Sequence, residues 1–428
     1  MTTIPARPGR LVVPRDRVWR RTQIVGVLGP LDVPSPPRLR DALYRLAAIA
    51  PGRPPLCTLD RAGTRWRPVP GPRLAEHLDR VVRPLDPDVG GADDVLALVE
   101  RGLRTPPADL PLRISVGGEH VLVEMSHLVG DGRHLDLYWS ELLGRALDGG
   151  VPTLAAHAGP RLALPRAFAA TFARHPGRLA AIARGAGAAA GDTPLTERGG
   201  GAGPDGGADP AFVARHTGPE LLRAVRDARG GRDTGRSVAG ILFAAAWSAV
   251  ARAGLPAPAP GLWVLFDGRR FLPVPAGGVG NFVAGVYLEP ADPRDPVAIS
   301  TAMRAVIDSG RPVATMAAAA AKQLAPPIPL PRRGRGPAAP PSRPAPTLAV
   351  NFLPRLPGFT GLPWRASPGE RTLALASTPG GPGGITVTMA ELDGCLHVSI
   401  TFDGALFERK AVRAMAELLC ADPLGLVR

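Results

Sequence analysis

Residues 124–135 read EMSHLVGDGRHL. An apolar run ends at His127, three small or apolar residues follow, and Asp131-Gly132 leads into RHLDLYWSELLGRALDGG. That last stretch sets Leu135, Trp139, Leu142, Leu143 and Ala146 on one helical stripe and stops at Gly149 and Gly150. Upstream, LPLRISV and HVLVEM read as a strand pair joined by the turn GGE. The order is strand, tight loop, helix, and such a loop delivers side chains into a cleft. Gly130 and Gly132 permit the tight backbone. Imidazole titrates nearest neutrality, so His127 is a candidate general base for a hydroxyl or amine proton. With eight histidines in the chain, H-x-x-x-D-G is weak as a pattern alone, and a hydrogen-bonded loop histidine stays open as the plainer reading.

Working outward, PPRLRDALYRLAAIA carries apolar residues at helical spacing, followed by short strands at PLCTLD and RWRPV and helices near 74–82 and 92–103. Residues 185–210 are Gly-rich and aperiodic and read as a flexible linker. Beyond it come a helix at PELLRAVRDA, the apolar helix SVAGILFAAAWSAVARAG, strands at GLWVLFDGRR and VGNFVAGVYLEP, and a helix at PVAISTAMRAVIDSG. A Pro/Arg-rich loop over 325–347 interrupts the second half, after which LAVNFL, ITVTMAEL and CLHVSITFDG read as strands closed by the helix KAVRAMAELLCAD. Both halves mix helix and strand in a similar order. The expectation is an α/β protein of two similar lobes, 1–185 and 211–428, with 186–210 as the linker between them.

The 428 residues and 45% hydrophobic content suffice for two cores and exclude a disordered or fibrous chain. Cys57, Cys395 and Cys420 have neither metal-pair nor disulfide spacing. The N-terminus lacks a signal-like apolar stretch and no segment reads as membrane-spanning, so a cytoplasmic protein is expected, with peripheral membrane contact left open. A net charge of +14 suggests an acidic partner, but the basic residues are almost all arginine beside abundant Ala, Gly and Pro, which GC-rich codon usage also produces. Aromatics are only 5%, so base stacking is poorly supported and nucleic-acid binding is disfavoured. Neither a P-loop nor a strand-linked G-x-G-x-x-G is present. His120 and His134 read as surface or packing residues, and no metal is expected.

Read in order, SHLVGDG, SVAGILFAAAWSAVARAG, FDGRRFLPVPAGGVGNFVAGVYLEP, LAVNFLPRL and LDGCLHVSITFDGALF resemble stretches of one superfamily. It is the condensation-domain and chloramphenicol acetyltransferase-like acyltransferase superfamily, whose signature is HHxxxDG. The resemblance is nearest to bacterial condensation, wax ester and polyketide-associated acyltransferases. It implies two lobes with an active-site tunnel between them and direct acyl transfer from a thioester to an alcohol or amine, in lipid or secondary metabolite biosynthesis. Two departures stand out: Ser126 replaces the first histidine of the signature, and no DFGWG segment is found.

The resemblance makes His127 the general base. It turns Asp131 away from the cleft to pair with an arginine of the second half, matched here by Arg269, with Arg270 as the alternative. Gly132 has a backbone role. Ser126, Asn281 and Asn351 are candidates to touch substrate or an oxyanion, although strand-end asparagines are more often turn-formers. No cofactor is expected to stay bound; coenzyme A or phosphopantetheine would come as the thioester of the donor, and a carrier protein would act in trans. The competing class is a binding or scaffold protein that keeps the fold and has lost the chemistry.

Overall fold

The computed structural model describes residues 9–85, 92–105, 109–153, 162–186, 209–231, 234–273, 280–324, 346–381 and 383–428. The first half runs β1 (Arg10–Leu11), a 3-10 turn (Asp16–Trp19), β2 (Gln23–Gly29), α1 (Pro36–Ile49), β3 (Cys57–Leu59), β4 (Arg65–Pro68), α2 (Leu74–Val81) and β5 (Val82–Pro84). It continues with α3 (Ala92–Arg104), β6 (Leu112–Gly117), β7 (His120–Ser126), α4 (Gly132–Asp148), α5 (Ala163–Phe172) and α6 (Pro176–Ala186). The second half begins with β8 (Pro210–His216), α7 (Pro219–Arg229), α8 (Val238–Arg252), β9 (Leu262–Asp267) and β10 (Val283–Leu288). Then follow α9 (Pro296–Ser309), α10 (Arg311–Leu324), β11 (Thr347–Leu353), α11 (Pro357–Thr360), β12 (Thr372–Ser377), β13 (Gly384–Leu392), β14 (Cys395–Asp403) and α12 (Arg409–Ala421). The expected strand at GLWVLFDGRR ends at Asp267, because Gly268–Phe271 wind into a 3-10 turn capped by the Asp267 carboxylate. Most of the Gly-rich linker and of the Pro/Arg-rich loop lies outside the described residues.

Each lobe is built on one sheet. The first has the strand order β12-β2-β7-β6-β5 and the second β10-β9-β11-β13-β14-β8, while β1, β4 and β3 form a small third sheet. Parallel pairing joins β5 to β6 and β11 to both β9 and β13; the remaining neighbours are antiparallel. β14 is buried at every position, the mark of a strand covered on both faces.

Among the described residues, several segments cross between the halves, including Leu356, Phe359 and Leu362 of the second half, which sit in the core of the first lobe. β12 belongs to the second half of the chain but pairs along its whole length with β2 of the first sheet. α5 belongs to the first half, yet Ala163, Ala167 and Phe172 sit in the core of the second lobe. A third apolar cluster lies at the junction, where Phe212 of β8 packs with Val25, Val27, Val99 and Ala374. The lobes are therefore interlocked by strand and helix exchange.

Local chemistry sets the helices that matter for the site. The Asp131 carboxylate accepts from His134 N at 3.1 Å and caps α4, which ends on the left-handed Gly149. The stripe expected on α4 is buried at all five positions. α8 is apolar all round and buried along nearly its full length. Ser237 caps α8, and a Cβ on Gly240 would lie 2.1 Å from Ser300 Oγ, so only glycine lets α8 approach α9 this closely. Among the described residues, no helix is long and apolar enough to cross a membrane.

Candidate active site

His127 is placed by the ladder between β2 and β7. Gln23 pairs with Ser126, and one step further His127 N donates to Thr22 O at 2.9 Å. The loop then closes with Val129 N donating to Ser126 O, and α4 starts at Gly132. His127 Nδ1 lies 2.8 Å from Asn281 Oδ1, and Asn281 Nδ2 donates to the His127 carbonyl. A carbonyl can only accept, so Asn281 must offer its NH2 there and its oxygen to the ring. Nδ1 therefore carries the proton and Nε2 keeps its lone pair. Burial pushes the imidazole below its ordinary value, against the opposing pull of its own carbonyl, the Asp131 charge and Asn281. The ring is neutral near pH 7.

Two cavities meet at this ring. The wider, of about 490 Å³, is lined mainly by apolar groups, including Leu135, Leu265, Val283, Phe352 and Leu375. The narrower, of about 60 Å³, is bordered by Trp19, Arg21, Thr22, Thr378 and Gly380. His127, Leu265, Asn351, Ser377 and Thr386 border both, so their walls come from both halves of the chain. The indole of Trp19 covers one face of His127, with ring centres 4.2 Å apart and planes 12° from parallel.

Beneath the loop, Asp131 enters a buried bridge with Arg269, and both residues also border the wide cavity, so the expected turn away from the cleft is not complete. Arg269 Nη1 and Nη2 donate to Asp131 Oδ2 and Oδ1 at 3.0 and 3.1 Å, the bidentate geometry that guanidinium favours. Phe282 N also donates to Asp131 Oδ2 at 2.9 Å, and Arg269 Nη2 donates to Gly280 O at 2.8 Å. Burial opposes ionisation of Asp131, but Arg269 and the N–H groups of Phe282 and His134 outweigh it and hold the carboxyl below its usual range. One carboxylate thus caps α4 and pins the second lobe to the first. Arg270, the alternative partner, is exposed.

The other expected site residues separate into two groups. Asn351 borders both cavities. Gly132 is tight against the second lobe, since a Cβ there would lie 3.1 Å from Leu353 Cδ1; its need is space. Asn281 does not fit the expected oxyanion or substrate role: it is buried, lines neither cavity, and spends both ends of its amide on His127. Ser126 likewise lines neither cavity, and its Oγ accepts from Leu128 N at 3.3 Å inside the turn. Sequence reasoning passed over Trp19, a lone aromatic in an Arg-rich stretch far from the motif, for which no local pattern gives a signal.

No protein-family model and no curated protein sequence matches the chain. Solved structures do. The chain is similar to the first condensation domain of the calcium-dependent antibiotic synthetase in complex with a substrate analogue: 18% identity, 99% of this chain and 97% of that one, TM-score 0.60. It is similar to polyketide synthase associated protein 5 from Mycobacterium tuberculosis, with 15% identity over 99% of both chains and TM-score 0.53. It is also similar to trichothecene 15-O-acetyltransferase from Fusarium sporotrichioides, with 11% identity, 96% and 92% coverage and TM-score 0.56. The fold of this chain is thus the one that these solved structures share, a condensation-domain-like fold of two sheet-based lobes.

Proposed function

We propose that the protein is an acyltransferase that moves an acyl group directly from a thioester to an alcohol or amine, with His127 as general base. The observation that carries this reading is the His127–Asn281 pair: it fixes the proton on Nδ1 and leaves Nε2 as an acceptor where two cavities meet. The acceptor's O–H or N–H gives its proton to Nε2 as the oxygen or nitrogen attacks the thioester carbonyl. The tetrahedral intermediate then expels the thiolate, which takes that proton back from the imidazolium. Asn351, on the shared wall beside Ser377 and Thr386, supplies an amide donor for the oxyanion. Asp131 and Arg269 hold the loop that carries His127.

The apolar lining of the wide cavity suits an acyl chain or a hydrophobic acceptor. Arg133 and Arg355 border the wide cavity and Arg21 the narrow one, charges suited to the phosphates of coenzyme A or to an acidic carrier acting in trans. Such chemistry would place the protein in cytoplasmic lipid or secondary metabolite biosynthesis. The replacement of the first motif histidine by Ser126 favours, as a second reading, a binding protein with the same cavity and no turnover. Incubating the full chain with a panel of acyl-CoAs and of alcohol and amine acceptors, and following thiol release, separates the two. Acceptor-dependent release that disappears in His127→Ala supports transfer. Saturable binding of acyl-CoA without release by any pair supports the second reading.

A further inference from the structure

We infer that Trp19 is a positioning residue whose indole face stabilises the protonated form of His127 during transfer; this rests on the reading of His127 as the base. A ring pair at 4.2 Å and 12° is a face-to-face stack. A neutral imidazole gains modestly from that arrangement, but an imidazolium lies in the negative face of the indole, the strongest aromatic partner for a cation. The contact therefore strengthens when the proton arrives on Nε2, and an interaction that strengthens along the reaction accelerates it. Asn281 holds the edge of the ring and fixes its tautomer, while Trp19 holds its face.

The indole is not a loose wall residue. Trp19 ends a 3-10 turn that feeds directly into β2: Thr22 N donates to Trp19 O at 2.9 Å, and Thr22 O receives His127 N. The buried Asp16 begins that turn and pairs with Arg15 at 3.2 Å. The Arg15 guanidinium lies 4.9 Å above the Phe282 ring, and the Phe282 N–H donates to Asp131. Arg17 Nη1 donates to the Gln323 carbonyl of α10 at 3.4 Å. The stack is thus fastened to both lobes and to the Asp131 bridge. The charged groups around the imidazole, among the described residues, are Asp131 with Arg269 beneath the loop, Asp16 and Arg15 on the turn that carries the indole, and Arg21, Arg133, Asp136, Asp267 and Arg355 on the cavity walls. Asp131, although paired with Arg269, still favours the protonated ring by its charge, while the indole face is the group in direct contact with the ring plane.

The test is a fluorination series. Fluorine on the indole drains its negative face with little change of shape, so it weakens an imidazolium contact while leaving packing in place. The full chain is grown with indoles of increasing fluorine content and with [15N]histidine, and the His127 ring resonances are followed against pH. Because the chain has six tryptophans, the same series in Trp19→Phe isolates the one in question. The expected result is a His127 midpoint that falls stepwise with fluorination, by about half a unit to one unit in total, in the natural chain and stays level in Trp19→Phe. A midpoint independent of fluorine content overturns the proposal, as does a His127 that stays neutral in every sample until unfolding. In turnover of acyl-CoA, Trp19→Leu is expected to lower kcat about 3- to 10-fold and to move the acid limb of kcat/KM to lower pH. A merely structural role would lower kcat and leave the limb in place. Undiminished turnover in His127→Ala would remove the base reading itself, and the titration would still report whether the stack acts on the ring.

Discussion

His127, directly after β7, and His397, near the start of β14, are both buried, and burial lowers the affinity of both for a proton. Their surroundings differ. His397 sits in the ladder between β13 and β8, stacks on His216 at 5.5 Å and lines neither of the two cavities at His127. Its Nε2 is buried without a partner among the described residues, and burial, helped by His216, pushes it down to about 3. His127 has its Nδ1 proton assigned by Asn281, one face covered by Trp19 and a place on the walls of two cavities. A depressed titration alone therefore does not mark a site. Access to the basic nitrogen and a fixed tautomer do.

The strongest way to break this contrast is to remove what holds the His127 loop. Asp131→Ala takes away the bidentate partner of the buried Arg269 guanidinium, leaving it the single carboxylate contact of Nη1 to the exposed Asp267 at 3.1 Å, and is expected to cost about 3 kcal/mol in denaturant unfolding. Arg269→Ala should cost about as much, and the double mutant less than the sum of the singles. Arg269→Lys should rescue little, since an ammonium cannot form both bonds to the carboxylate. Losses that simply add would show that the two side chains do not act as a pair.

Next in size is the direct comparison of the two rings. His127→Ala should lower transfer by about 10²-fold or more, measured as acceptor-dependent thiol release, with little change in unfolding. His397→Leu should leave turnover near the natural level. Equal losses from both would make His127 only another structural histidine.

The pH dependence of stability sharpens the contrast from the other side. The unfolded chain binds a proton on His397 below about pH 6.5, whereas the folded chain does not until about pH 3. Stability is therefore intact above pH 6.5 and falls as pH drops through the window from 6.5 to about 3, by at most about 1.4 kcal/mol per unit from this residue. His127, shifted in the same direction, adds to the same slope. Denaturation curves for His397→Leu should be flatter across that window, and an unchanged slope would remove His397 as its source. Asp131 acts lower: its stabilisation is present above the usual carboxylate range and is lost as pH falls through its depressed value.

The smallest expected effect is at Ser126. Its Oγ serves only the Leu128 N–H of the turn. Ser126→His should change turnover by less than about threefold and create no activity where none existed. Activity appearing only in that variant would mean that the natural motif is incomplete.

Where the chain's own pattern was strong, the fold was legible. The stripe of α4, the all-round apolar α8 and the hairpin turn at Gly118-Glu119 depend on residues a few positions apart, and the structure contains each of them. β2 and β12 were not marked. β2 is buried at every position and contains Gly26 and Gly29, so it shows no alternation, and β12 is short and completes a sheet whose other strands lie some 250 residues or more before it. At the site, His127 and Asp131 stood out by spacing, whereas the Arg269 pairing came through resemblance to a family and Trp19 had no signal at all.

The sequence by itself determined the strand, loop and helix around His127, because strand pairing through a tight turn and a carboxylate cap are settled within about twenty residues. The tertiary structure decided what that histidine can do. Asn281, Arg269 and Trp19 all lie more than a hundred positions from the residues they serve. Contacts of that kind are fixed by how buried surfaces and buried charges are mutually satisfied when the lobes close, and no local periodicity in the chain encodes them.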